Sequence, residues 1–192
     1  RRYKPLEIEI DAIYSKMLLL KKKKYAAMKV VNPLEPNRVV REVKGLDLVR
    51  HDWSDISHDV SEHALTHILG QGVSVDEALS AVLSYVNDTA QRVRNNRVPL
   101  GKYIITRSLT KNPEDYADAK SLPHVQVALR LKSRGRTVRS GDYVKYVVSK
   151  TAKTEDGPEG SISKDSLAER AYHPDEVRDS KGGLLVDTDW YL

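Results

Sequence analysis

The segment LLLKKKKYAAMKVV, residues 18–31, places four consecutive lysines and a tyrosine between two apolar stretches. A solvated tail would not carry apolar residues on both sides of its charges, because such residues gain free energy only when they are buried. Along a strand, successive side chains alternate between two faces, which divides the polar residues into two groups. One face would carry Lys22 and Lys24, and the other Lys21, Lys23 and Tyr25. The segment therefore predicts a strand that carries a rigid cationic ledge, fixed by its buried flanks.

A ledge of this kind suits a polyanion. Lysines at fixed spacing can contact consecutive backbone phosphates of a nucleic acid, and Tyr25 can lie against a sugar or a base beside them. The alternative interpretation of a lysine run is a nuclear localisation signal or a solubilising patch. That alternative requires an accessible, unstructured segment, whereas Leu18–Leu20 and Ala26–Val31 favour burial.

The net charge of +5 conceals four blocks of alternating sign. Residues 1–50 contain 13 Lys or Arg against 6 Asp or Glu, and residues 98–150 contain 11 against 4. The intervening residues 51–97 contain 3 against 7, and residues 151–192 contain 5 against 10. Two basic blocks separated by an acidic one predict a polyanion bound along two patches, not a uniformly basic surface.

Length and composition limit the number of domains and the classes of protein to which the chain can belong. The 192 residues suffice for one domain or two small ones with a hydrophobic core. The chain has no cysteine, which excludes disulfides and cysteine-ligated zinc. No apolar run reaches the roughly 20 residues of a membrane helix, and the start at Arg1 does not resemble a signal peptide. The missing initiator Met indicates a piece excised from a longer protein.

Alternating apolar and polar residues predict a β-rich first part. A turn is expected at Asn32–Asn37, where two prolines fix the backbone, and a bulge at Gly45 before Leu46–Val49. The predicted strands are Leu6–Asp11, Tyr25–Val31 and Val39–Val43, with Ile13–Leu20 open between strand and helix.

Helical spacing begins after Trp53. Apolar residues predict a first helix that ends at Gly70 and Gly72, and Ser74 with Glu77 predicts the capping box of a second, amphipathic helix. Later elements are a short apolar segment at Tyr103–Thr106, a helix over Val125–Leu131, a strand over Asp142–Ser149, a loop over Thr151–Ser163, and a short helix over Ser166–Tyr172 before an irregular acidic tail.

Two groups of side chains could in principle hold a metal ion, but each lacks a feature that the corresponding metal-binding motif requires. His63 and His67 have helical i, i+4 spacing, but the zinc motif HExxH needs Glu where Ala64 stands. Asp187 and Asp189 resemble aspartates that hold two Mg²⁺ ions, but no glycine turn precedes them. We therefore predict no metal ligand and no catalytic residue in this chain.

Several ordered blocks resemble the eukaryotic replicative DNA polymerases of family B. They run the length of the chain, and their order makes the resemblance specific. The blocks are Leu6–Asp11, Leu18–Ala27 (LLLKKKKYAA), Lys44–Trp53 (KGLDLVRHDW), Ile105–Tyr116 (ITRSLTKNPEDY), Leu122–Leu131 (LPHVQVALRL), Gly141–Val148 (GDYVKYVV), Ala171–Pro174 and Val186–Leu192.

This resemblance implies an α+β fold, with a small β portion of a polymerase palm followed by a mainly α-helical thumb with a few strands. Residues 1–50 would be the C-terminal part of the palm, residues 51–180 the thumb, and residues 181–192 the segment that leaves the thumb. The catalytic aspartates would lie outside the chain. It would thus be part of a nucleotidyltransferase and inactive by itself.

The resemblance also implies which residues contact nucleic acid. The family's Lys-x-Tyr motif, which steadies the primer–template junction, matches Lys23 and Tyr25. Lys44, Gly45 and Arg50 match a second contact region near the primer end. Thr106, Arg107 and Lys111 match a thumb loop that meets backbone phosphates. The full set of implied contacts is Lys22, Lys23, Lys24, Tyr25, Lys44, Gly45, Arg50, Thr106, Arg107 and Lys111. Family members often have Lys where this chain has Arg107. Two further departures are His51, where a second Arg is common, and the middle of the first thumb helix, Ser57–His67, which matches poorly.

Partners and location follow from the resemblance alone. It implies binding of primer–template DNA or an RNA–DNA hybrid, association with primase and accessory polymerase subunits through the parent protein, and a place in the nucleus. No cofactor is expected on this chain, the Mg²⁺ ions belonging to the parent active site, and no membrane contact is expected. The alternatives are a non-enzymatic nucleic-acid-binding module of a ribonucleoprotein, or a nuclear scaffold whose acidic stretches bind proteins.

Overall fold

The computed structural model describes residues 9–46, 52–70, 72–151 and 166–192. These residues form an α+β structure of two antiparallel sheets and five α-helices, which confirms the predicted fold class. The chain divides into two compact units. The first comprises residues 1–49 and 62–83, and the second comprises residues 50–61 and 84–192. The palm and thumb boundaries remain a prediction.

The first unit contains a three-stranded antiparallel sheet. Its strands are β1 (Tyr14–Lys21), β2 (Lys24–Val30) and β3 (Val39–Lys44), joined in sequence order. β1 resolves the open choice over Ile13–Leu20 in favour of a strand, and the turn at residues 32–37 is confirmed. Of the predicted strand at residues 6–11, residues 6–8 lie outside the described residues, and residues 9–11 are not in a strand.

One face of this sheet carries the core of the first unit. Ala26 is fully buried there against Leu65 of the first helix and Leu69 just after it, both of which are buried. Partly buried apolar side chains of the strands surround them: Leu18, Met28 and Val43, together with Leu46. Leu18 and Ala26 anchor the two flanks of the lysine run in this core, as predicted. The predicted burial is wrong for Leu19, Leu20 and Val31, which are 65%, 59% and 49% exposed. β3 ends at Lys44, so Leu46 does not continue it, and residues 47–49 lie outside the described residues.

The two longest helices begin where their signals predict. α1 is Asp55–Ile68 and α2 is Val75–Arg94. The Ser74 hydroxyl accepts a hydrogen bond from the Glu77 backbone N–H at 3.3 Å, and Glu77 Oε2 accepts one from the Ser74 N–H at 2.9 Å, which confirms the capping box. Much of the apolar stripe of α2 is exposed, with Val75 83% and Leu79 54% exposed. No helix in the described ranges combines the length and apolarity needed to cross a bilayer.

The second sheet belongs to the second unit and is built around β5 (Tyr143–Thr151). β4 (Ile105–Ser108), β6 (Ala171–Tyr172) and β7 (Leu184–Val186) each pair with it in antiparallel fashion. The helix α3 (Pro123–Ser133) packs its buried Val125, Val127 and Ala128 into the same core as Val144, Tyr146 and Val148 of β5. The predicted helix over Val125–Leu131 and strand over Asp142–Ser149 are confirmed.

The C-terminal part is more regular than the sequence predicts. The expected helix over Ser166–Tyr172 is wrong, because residues 167–170 form a turn and β6 follows it. The expected irregular tail contains α4 (Pro174–Asp179), β7 and α5 (Thr188–Tyr191). His173 caps α4 by accepting from the Asp175 N–H, while Glu176 accepts from the His173 N–H at 2.7 Å. Histidine is an unusual cap, so the box was not recognised.

Candidate nucleic-acid interface

The lysine run forms the tip of a β-hairpin. Lys21 and Lys24 face each other across β1 and β2, and Lys22 with Lys23 makes the two-residue turn between them. Lys23 has a φ of 64°, in the left-handed region that few residues other than glycine adopt. The predicted single strand with alternating lysines is therefore wrong at this point, because the chain reverses direction within the run.

The turn exposes its charge. Lys22 and Lys23 are exposed, and neither makes an ion pair with an acid in the described part of the chain. Ala26 and Ala27 are fully buried only a few residues away. The ammonium groups are thus presented by a short turn whose two strands are held by the sheet and its core. The predicted cationic ledge is therefore the tip of a hairpin, where the lysines are presented by the turn between β1 and β2.

Gly45 lies directly beside this turn. Its φ of 65° places it in the left-handed region, and a Cβ added to it would overlap the backbone carbonyl oxygen of Lys23. Only glycine lets the two backbone segments approach this closely. The end of β3 therefore supports the lysine turn through a backbone contact, which gives Gly45 a role beyond the predicted bulge.

Tyr25 is held in a polar network on the face of the sheet opposite the core. Its hydroxyl donates to Glu42 Oε1 at 2.6 Å, and the Tyr14 hydroxyl donates to the same oxygen at 3.1 Å. The hydrogen bond from Tyr25 lowers the pKa of the Glu42 carboxyl, helped by Tyr14 and Lys44, although burial opposes it. The hydrogen bond with Tyr25 and then burial raise the pKa of Tyr14 to about 12. Glu42 therefore stays ionised at neutral pH and orients the Tyr25 ring.

Lys44 completes this network. It pairs with Tyr25 across β2 and β3. Its Nζ lies 3.4 Å from Glu42 Oε1 and 5.8 Å from the centroid of the Tyr25 ring. An ammonium over a tyrosine face is favourable and adds rigidity to the ring. The structure thus brings Lys22, Lys23, Lys24, Tyr25, Lys44 and Gly45 together in the first unit. Arg50, the remaining residue of the second implied contact region, lies outside the described residues.

Thr106, Arg107 and Lys111 belong to the second unit. Thr106 and Arg107 are neighbours on β4 and occupy opposite faces of the strand. Arg107 pairs with the buried Val144 and approaches Asp52 to 3.9 Å, whereas Thr106 pairs with the exposed Lys145. The structure therefore does not place Thr106 and Arg107 on one common face.

Lys111 sits in a loop that Tyr116 holds in place. The Tyr116 hydroxyl accepts hydrogen bonds from the backbone N–H groups of Thr110 at 2.7 Å and Lys111 at 3.3 Å. Burial would raise the pKa of Tyr116, but these donors and the Thr110 hydroxyl outweigh it and lower the pKa. The oxygen is thus an anchored acceptor, and Tyr116 is a positioning residue that the sequence did not single out.

Replacing Tyr116 with Phe should loosen this loop. The change removes the acceptor of two backbone N–H groups, and lost hydrogen bonds of this kind cost about 1 kcal/mol each. Hydrogen exchange is expected to speed up at Thr110 and Lys111 by about fivefold. Tyr172→Phe is the matched control, because the Tyr172 hydroxyl makes no hydrogen bond to the residues described here. Unchanged exchange at both amides would contradict this role.

A second loop extends the basic surface around Lys111. The Ser140 N–H donates to Asn112 Oδ1 at 3.2 Å, and the Gly141 N–H donates to the Leu109 carbonyl at 2.7 Å. Arg139 next to Ser140 is exposed and forms no ion pair within the described ranges. Arg139 therefore joins Lys111 as a candidate contact. The signal for it in the sequence was the basic stretch Lys132–Arg139.

A cleft of about 490 Å³ beside these loops has a different character. It is lined by charges of both signs, including Lys132, Arg136, Glu114 and Asp115. Lys132 pairs with Glu114, and Arg136 lies 3.2 Å from Asp175. Because these cations are already neutralised by acids, this cleft is less suited to a polyanion than the exposed loop residues are.

The two constellations considered for metal binding have local roles. The His63 and His67 rings contact each other on α1, with their centroids 4.5 Å apart and their planes tilted by 50°. Asp187 is buried and pairs with Arg170 at 2.5 Å, and Asp189 pairs with Lys150 at 3.1 Å. Across the described ranges, no three His, Asp or Glu side chains converge in a way that could hold a metal ion.

Comparison with known proteins now adds to this geometry. The family model described as "DNA polymerase family B" matches residues 1–192. The chain is 44% identical over 195 residues to the DNA polymerase alpha catalytic subunit of Oryza sativa subsp. japonica, covering all of this chain and 12% of the relative. It is 40% identical to the mouse (Mus musculus) DNA polymerase alpha catalytic subunit, covering 99% of this chain and 12% of that protein.

A solved structure agrees with the sequence matches. The family B DNA polymerase from the archaeon Pyrobaculum calidifontis superposes with a TM-score of 0.65 at 29% identity, over 97% of this chain and 21% of that one. The chain thus spans about an eighth of the length of the two catalytic subunits above. Because the family model covers every residue, the chain belongs to DNA polymerase family B.

Proposed function

We propose that this chain is the part of a replicative DNA polymerase that grips the primer–template duplex through its backbone phosphates. The observation that carries the proposal is the hairpin tip. It presents the exposed ammonium groups of Lys22 and Lys23, which pair with no acid among the described residues, on a sheet anchored by its core. The chain that carries it matches the polymerase family over its whole length.

Phosphate contacts explain what such a surface can do. They supply affinity and fix the register of a protein on a duplex, but they carry no sequence information. A polymerase has to hold every sequence equally well, so it needs contacts of this class. Tyr25, oriented by Glu42, is proposed to lie against a sugar or base next to the phosphates that the lysines neutralise.

Residues of the second unit are also proposed to bind backbone phosphates. Thr106 can donate its hydroxyl to a phosphate oxygen, and Lys111 is presented by the loop that Tyr116 anchors. Arg107 has a different environment, since its guanidinium approaches Asp52. Its contribution is therefore proposed to be the weakest of the three.

The chemical step is proposed to occur elsewhere in the parent polymerase. The Asp187 and Asp189 carboxylates pair with Arg170 and Lys150, and no three His, Asp or Glu side chains of the described residues converge to hold a metal ion. We propose that the parent protein extends RNA–DNA primers with deoxynucleotides in the nucleus, with primase and accessory subunits as partners. Support comes from the similarity to DNA polymerase alpha catalytic subunits. No observation favours a ribonucleoprotein module or a scaffold over this assignment.

The proposal predicts a steep salt dependence that is independent of sequence. Each phosphate neutralised by Lys or Arg releases counterions, so the logarithm of the association constant should fall linearly with the logarithm of salt concentration. Fluorescence anisotropy of the complete polymerase with labelled primer–template, from 50 to 200 mM salt, measures this slope. Three unrelated duplex sequences should give equal affinities within about twofold. A flat response to salt would overturn the proposal.

A further inference from the structure

The outer face of the β4–β5 ribbon combines exposed aromatic and cationic side chains. Thr106 lies opposite Lys145, and Ser108 lies opposite Tyr143, so the alternation of the strands places all four on the same face. The intervening residues Val144 and Tyr146 point into the core. Tyr143 is 69% exposed, so its ring is accessible on this face.

A cleft opens on this face, entirely within the second unit. It has a volume of about 260 Å³ and is lined by Trp53, Asp55, His58, Thr106 and Tyr143. Trp53 is 47% exposed, so the cleft has two accessible aromatic rings. Lys145 is next to Thr106 and makes no ion pair with the residues that the structure describes.

This composition has a definite chemical preference. Aromatic rings offer stacking surfaces to sugars and bases, and an unpaired lysine beside them can neutralise a phosphate. The Asp55 carboxylate would repel a phosphate inside the cleft. It can instead accept a hydrogen bond from a hydroxyl or amino group, as nucleosides carry. The phosphate therefore belongs on the Lys145 side, and the nucleoside belongs in the cleft.

We propose that the outer face of the β4–β5 ribbon, with Trp53, forms a groove that holds one nucleoside of a bound nucleic-acid strand while Lys145 neutralises the adjacent phosphate. This inference rests on the proposed function and adds two contacts to it, Tyr143 and Lys145. Thr106 lines the cleft with Tyr143 and pairs with Lys145 across the two strands.

Two variants of the complete polymerase separate stacking from charge. Lys145→Ala should weaken primer–template binding several-fold and reduce the salt slope by about one, since one phosphate contact is lost. Tyr143→Ala should weaken binding by about tenfold without changing the slope, and Tyr143→Phe should retain affinity because the ring remains. Lys150→Ala is the matched control on the same strand, as Lys150 pairs with Asp189 outside the groove.

A photocrosslink locates the nucleoside directly. Primers and templates that carry single 5-iodouracil substitutions along the duplex are irradiated in complex with the polymerase, and the modified peptides are identified by mass spectrometry. At one position at least, crosslinks should fall on Trp53 or Tyr143, and Tyr143→Ala should shift or abolish them. Crosslinks that avoid both residues at every position would overturn the inference.

The outcomes distinguish this inference from the function on which it rests. Wild-type binding by Tyr143→Ala and Lys145→Ala, with loss of binding when the hairpin lysines are removed, would overturn the groove and leave the phosphate grip standing. Unchanged binding in all of these variants would overturn both.

Discussion

Removing the charge of Lys22, Lys23 and Lys24 together is expected to abolish tight binding of primer–template at physiological salt. Each lysine that meets a phosphate contributes about one unit to the salt slope, so the slope should fall by about three. Affinity at 50 mM salt should drop on the order of 100-fold, uniformly across duplex sequences. Anisotropy titrations of the complete polymerase at several salt concentrations measure both quantities.

The design of this variant follows the backbone. Lys23 has a φ of 64°, so Lys23→Gly removes its charge without strain, whereas Lys22 and Lys24 are changed to Ala. The matched control removes three charges from exposed lysines outside the proposed contacts: Lys120→Ala, Lys150→Ala and Lys181→Gly. Lys181 has a φ of 49° and copies the backbone situation of Lys23. Equal losses in the two triple variants would mean that net charge, and not the hairpin tip, governs binding.

Gly45→Ala is expected to disrupt the hairpin tip that the lysines depend on. The new Cβ would overlap the carbonyl oxygen of Lys23, a backbone atom that cannot rotate away, and alanine disfavours the φ of 65°. The combined cost should exceed about 2 kcal/mol, placed locally at the turn. Faster hydrogen exchange at the amides of the β1–β2 tip, together with weaker primer–template binding, is the expected result.

Gly72→Ala separates the overlap from the backbone conformation. Gly72 has a φ of 72°, and a Cβ there would meet no atom within 4 Å, so this change carries the conformational cost alone. The difference between the two variants measures the contact between Gly45 and the lysine turn. If Gly45→Ala and Gly72→Ala cost the same free energy, the close approach of Gly45 to Lys23 contributes nothing to stability. The proposal that the end of β3 supports the lysine turn would then be wrong.

Recognition of the family from sequence was confirmed because its blocks are local and ordered. The lysine run, the segment after Lys44 and the loop before Tyr116 are short strings that keep their identity whatever their surroundings. The proposed contacts remain predictions, since no bound nucleic acid tests them. Even so, the hairpin shows how Lys22 and Lys23 can be exposed while Ala26 and Ala27, a few residues further along β2, are buried.

The fold was predicted best where local hydrogen bonds and apolar spacing act together. Ser74 and Glu77 fix the start of α2 within one turn of chain, so the capping box alone located it. His173 and Glu176 do the same for α4, but with a rare capping residue. The predicted apolar stripe of α2 illustrates the limit of such patterns. Its period correctly indicated a helix, while the exposure of Leu79 depends on what packs against that face.

The sequence by itself determined that this chain is α+β, that apolar segments flank its lysine run, and that it belongs with the family B polymerases. These properties reside in residue types and in spacings of a few positions. Only the tertiary structure decided that the chain reverses at Lys22 and Lys23, that Glu42 orients Tyr25, and that Lys145 lies opposite Thr106. The reversal uses two lysines where Asn-Gly or Asp-Gly usually signals such a turn, so no residue pattern marks it. The other two depend on strand register between residues distant along the chain, which the packing of whole sheets fixes.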